Sequence, residues 1–112
     1  MRFAPGGTDP QALAARARDA GRPATVVTAS RTKAATLRAF ATALDLPEWF
    51  GHNLDALADA LDEVAAAGPA DLIVVGLERL RQADETSYRG VIGVLRTVAR
   101  AHPDLHVTVI GG

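Results

Sequence analysis

Cysteine is absent from all 112 residues, so neither a disulfide framework nor a thiolate metal site can hold this chain together. Nothing in it demands an oxidising compartment, and a cytoplasmic location is expected. Long apolar runs are also missing. The most apolar stretch, Val64 to Leu77, is broken by Gly68, Pro69 and Asp71 and falls short of the roughly 20 residues a membrane helix needs. The stretch Met1 to Gly21 has no continuous apolar core of the kind a secretory signal carries, so neither export by that route nor a membrane role is expected. Aromatic residues number only five, yet Trp49 and Phe50 stand side by side.

The most telling absence is one of sign. Residues 39–78 contain no Lys or Arg: seven basic residues lie at or before Arg38 and five at or after Arg79. The same window holds Asp45, Glu48, Asp55, Asp59, Asp62, Glu63, Asp71 and Glu78, although the whole chain carries a net charge of only −1. An acidic face on a near-neutral body favours a basic partner. The arginines elsewhere, Arg16, Arg18 and Arg22 among them, have neither interleaved aromatics nor a basic excess, so direct nucleic-acid binding is not expected.

What is present is enough apolar residue, 48%, to build one globular domain with its own core. Asp9 before Pro10 marks a helix start and Gly21 its stop. Ala24 to Ala29 is β-branched enough for a strand, and Leu37, Phe40, Ala41 and Leu44 then follow a helical stripe from Ser30 or Thr32. After Gly68 and Pro69 the run Leu72 to Leu77 reads as a central strand, with a further helical turn over Leu77 to Gln82. Asp84 to Ser87 restarts a helix along Tyr88, Val91, Ile92, Leu95 and Val98; Pro103 stops it, and Leu105 to Ile110 forms a last strand. Strands separated by helical crossovers should lie parallel, which predicts an α/β fold with a small three-stranded parallel sheet flanked by helices. Residues 1–112 are read as one domain, with 1–21 an amino-terminal extension and 22–112 the core.

Chemistry concentrates between Leu46 and Leu61, LPEWFGHNLDALADAL. Gly51 permits a sharp turn and Asn53 can cap the helix that follows. Leu54, Leu57, Ala58, Leu61 and Val64 recur at the offsets of one buried stripe, while Asp55, Asp59 and Asp62 stack at i, i+4 and i+7 on another. An acidic row is ordinarily a solvated helix face. This one lacks interleaved cations and uses a poor helix former, so it works against local stability by a few tenths of a kcal/mol per pair. Asp55 is favoured by the helix dipole in the first turn; Asp59 and Asp62 are not. Phe50 is read as a core anchor and Trp49 as a contact residue.

Catalysis is not expected. His52 lies near Asp55 without a nucleophile or second base beside it, and His102 and His106 read as a helix-end and a strand-face residue. The acids match neither a calcium loop nor a zinc helix, and Gly90 and Gly93 fall in a helix, where close packing is the simpler account, so no metal or cofactor is expected.

The stretch LPEWFGHNLDALADAL resembles the signature of the barstar family, intracellular inhibitors of barnase-type ribonucleases, and the order of elements agrees from Ala24 onward. The resemblance implies a small parallel sheet with surrounding helices, and a loop and acidic helix that plug the nuclease. It places Asp59 as the acid entering the enzyme's phosphate site and Asp55 as its neighbouring contact. Trp49 then stands at an interfacial aromatic position, and Gly51 and Asn53 bring backbone to the enzyme. With His52, Ala58 and Asp62 these residues form the expected partner-binding surface. Ala58 departs from the pattern where the family has a helix tryptophan, and Thr97 where it has an outlying acid. A non-inhibitory module binding another basic protein with the same face is the alternative.

Overall fold

The computed structural model describes residues 1–47 and 52–111. The described elements run β1 (Arg2–Ala4), α1 (Pro10–Asp19), β2 (Ala24–Thr28), α2 (Lys33–Ala43), α3 (Leu54–Ala66), β3 (Ala70–Val75), α4 (Leu77–Ala83), α5 (Glu85–Ala101) and β4 (Leu105–Ile110).

Helix starts follow the short polar side chains. The Asp9 carboxylate accepts from the Gln11 N–H at 2.9 Å, the Thr32 hydroxyl from Ala35 at 3.1 Å, and Asp84 from both the backbone N–H and the hydroxyl of Ser87. Each satisfies a donor that the first helical turn leaves unpaired. Pro10 occupies the first turn of α1, where its missing N–H costs nothing.

All strand pairs are parallel, in the order β1-β4-β3-β2, so the fold class is the expected one with one strand more than the expected three. The additional strand comes from the amino-terminal extension: Arg2, Phe3 and Ala4 pair with Thr108, Val109 and Ile110. Three mostly exposed residues carry no alternation that could announce a strand. The central strand also differs from its expected bounds. It begins at Ala70 and ends at Val75, because Gly76 turns into the left-handed region at φ 84° and starts α4. A Cβ at Gly76 would also come 3.3 Å from the Ala29 carbonyl oxygen.

Two apolar layers sandwich the sheet. On one side Val27, Leu72, Val74, Val107 and Val109 meet Leu37 and Phe40 of α2, Leu57 and Leu61 of α3, and Val91 and Leu95 of α5. On the other, Ala14 and Leu13 of α1 cover Ile73, Ile110, Val26 and Val75. Each fully buried Leu, Val or Phe contributes about 1.5–3 kcal/mol against exposure, so the larger layer dominates stability and fixes where α3 lies. None of the described helices is long and apolar enough to cross a membrane.

Candidate functional site

α3 is built to hold one face still and leave the other open. Leu57, Ala60 and Leu61 are buried against the sheet and its neighbouring helices, while Asp55, Asp59 and Asp62 are exposed and Ala58 is half-buried beside them. Its amino-terminal end is tied down by Asn53, whose side-chain oxygen accepts from the Ala56 N–H at 2.8 Å. His52, one residue earlier, has φ 47°, a left-handed conformation uncommon for a side chain of this size. The chain therefore passes through the left-handed region one residue before the cap. Trp49 and Gly51, and Phe50 between them, lie outside the described residues.

The three acids are not equivalent. Among the described residues, Asp55 and Asp59 have no hydrogen-bond or ion-pair partner, so their carboxylates stand open on one side of the helix. Asp62 already has one: its Oδ1 lies 3.0 Å from Nε2 of His102 at the end of α5. Sequence reasoning treated His102 as a helix-end residue and missed this contact. No local pattern links positions forty apart; only the packing of α3 on α5 brings them together.

A close approach at the other end of the same pair of helices sets the position of the acidic row. Gly90 of α5 faces Leu54, the first residue of α3, so closely that an added Cβ would meet Leu54 Cδ1 at 2.6 Å. Gly93, one turn on, has open space around it, so the close-packing expectation holds for Gly90 and fails for Gly93. Thr97 is exposed farther along α5.

Among the described residues no three His, Asp or Glu side chains are grouped to hold a metal ion. What the arrangement offers is a rigid helix face with two open carboxylates and a capped approach. A family model described as "Barstar (barnase inhibitor)" matches residues 24–110, which begins at the first residue of β2 and leaves β1 and α1 outside the match. No curated protein matches the chain.

Proposed function

The chain belongs to the barstar family, and from that premise we propose that it is an intracellular protein inhibitor of a ribonuclease, acting in the cytoplasm of the cell that makes the nuclease. In this reading residues 1–112 act as a single domain, with 22–112 the inhibitory core and 1–21 an extension that completes the sheet.

The observation that carries the proposal is the pair of open carboxylates on Asp55 and Asp59. A ribonuclease keeps cationic groups in its cleft to bind phosphates. Two carboxylates fixed on a packed helix can occupy those groups without offering a bond to cleave. Asp59 is the acid assigned to the phosphate site and Asp55 its neighbour. Trp49, Gly51, His52 and Asn53 bring the preceding loop against the enzyme, with Ala58 and Asp62 on the flank of the contact. Because the face is fixed before binding, little ordering cost falls on association. Attraction between acidic helix and basic cleft speeds encounter and fades as salt screens it. No catalytic residue, metal or cofactor takes part; the partner is a protein, with nucleic acid and membrane outside the interface.

Ala58 favours a second reading, in which the same face binds a basic protein without silencing an enzyme. A methyl group there supplies far less contact than an aromatic anchor. The two readings part in one experiment. The wild-type protein and Asp55→Ala/Asp59→Ala are used to capture partners from lysate and culture medium, and captured material is assayed for ribonuclease activity. A nuclease held only by the wild type, and inactive while held, is the expected result. A non-nuclease held in the same way would establish the second reading, and equal capture by both proteins would overturn both.

A further inference from the structure

Parallel sheets normally have both faces covered by helices and carry apolar strands throughout. Here α1 covers only part of its face. It packs chiefly on β2 and β3 and meets β4 at Ile110, while Arg2 of β1 and His106 near the start of β4 are exposed. Register places Asp71 beside His106 and Arg2 beside Thr108, and the two-residue period of a strand puts all four on the α1 side of the sheet. Arg22, from the turn between α1 and β2, joins them with its Nε 2.6 Å from Asp71 Oδ1. These five residues line one side of a cavity of about 460 Å³ that wraps the start of β4, its other side formed by Met1, Leu105, Val107, Ala99 of α5 and Pro103. Among the described residues lining it, none belongs to α3.

We propose that this cavity is a binding site for a small phosphomonoester, of about the size of a nucleoside monophosphate. Its charge has the right sign. Arg2 and Arg22 are permanently cationic, whereas the one carboxylate among the described lining residues, Asp71, is already engaged by Arg22. Its donors have the right arrangement. The Asp71 contact uses one edge of the Arg22 guanidinium and holds the group in place, while its other N–H groups have no partner among the described residues. The Arg2 guanidinium and the Thr108 hydroxyl are likewise unpaired among the described residues, and as register partners they stand side by side on β1 and β4. Three separate donor groups suit the three terminal oxygens of a phosphate better than the two of a carboxylate. The cavity also exceeds what inorganic phosphate fills and falls within the ordinary range for small organic ligands, about 300–1,000 Å³.

The site is independent of the inhibitory face, so its test is separate. The full chain, followed by two-dimensional amide NMR, is titrated with adenosine 5′-monophosphate, inorganic phosphate and adenosine. The nucleotide is expected to give saturable shifts at β1, Arg22 and the first half of β4, with Kd below about 1 mM, and none along Asp55 to Asp62. Phosphate should move the same signals and compete with it; adenosine should leave them in place. Arg2→Gln and His106→Gln, both at exposed positions, should keep the folded spectrum and each weaken the nucleotide about tenfold. Absence of saturation, equal shifts from adenosine, shifts of the same size at the exposed Arg31, Arg81 and Arg89, or unchanged affinity in both variants would each overturn the proposal.

Discussion

The carboxylate of Asp62 lies 3.0 Å from Nε2 of His102, joining the third turn of the acidic helix to the residue that closes α5. An acid with an internal partner is less available to an external one. Asp62→Ala should therefore weaken the captured ribonuclease far less than Asp59→Ala. Both side chains are substantially exposed, 52% and 31%, so loss of the contact should cost the fold no more than about 1 kcal/mol. Binding titrations of the two variants side by side give the answer, and equal losses would mean that Asp62 leaves His102 to engage the enzyme.

Asn53 links fold and interface, its side-chain oxygen accepting from the Ala56 N–H. Asn53→Ala should destabilise the protein by about 1 kcal/mol, the usual worth of such a cap. For a chain of this length that lowers Tm by about 4–8 °C. Asn53→Asp keeps an acceptor and suits the helix dipole, so it should melt close to the wild type. If alanine and aspartate variants melt together, the cap is not what fixes the start of α3.

At His52 the backbone has φ 47°, where a β-branched side chain is heavily disfavoured. His52→Val should cost about 1–2 kcal/mol, whereas His52→Gly should be close to neutral. Chemical denaturation of the pair measures the difference directly. A valine variant as stable as the glycine variant would show that the turn takes another conformation in solution.

Gly90 and Gly93 offer a comparison inside one helix. Gly93→Ala meets open space and should stabilise the protein by about 0.5–1 kcal/mol through helix propensity. Gly90→Ala carries the same propensity gain, but its methyl group must push aside the end of the Leu54 side chain, so its net stabilisation should be smaller. Thermal melts of the two variants test the close approach, and equal stabilisation would argue against it.

The Ser87 hydroxyl donates to Asp84 at 2.6 Å, and this bond, with that from the Ser87 backbone N–H, holds the Asp84 carboxyl below its ordinary pKa; Lys33 contributes less. A carboxyl whose folded pKa is depressed stabilises the fold fully above its unfolded value, about 3.9, and loses that contribution as pH falls through the lower folded value. Ser87→Ala should raise the pKa of Asp84 and make the acid limb of stability shallower. Carboxyl NMR titration of both proteins measures it, and Asp84 titrating at the ordinary value in the wild type would contradict the hydrogen-bond geometry.

Much of the fold was legible because its signals are local. Asp9, Thr32, Asn53 and Asp84 each bond to a backbone N–H two or three residues ahead, so a helix start is written within one turn of chain. The acidic row was legible for the same reason, since i, i+4 and i+7 spacing fixes a common face wherever the helix packs. β1 was not. Its three residues acquire strand geometry only by pairing with Thr108 to Ile110 at the far end of the chain. Nor could the strand of residues 72–77 be trimmed in advance, because the turn at Gly76 is set by its closeness to Ala29.

The sequence by itself determined the helix caps, the apolar stripes, the parallel arrangement and the placing of three acids on one helix face, all of which follow from short-range geometry and the two helical and strand periods. Only the tertiary structure decided that Asp55 and Asp59 stay open while Asp62 is held, that a side chain at Gly90 would meet Leu54 while one at Gly93 would meet open space, and that the first residues complete the sheet beside a polar cavity. Those distinctions depend on which crossover lies over which strand, and that is settled when distant apolar stripes bury against one another.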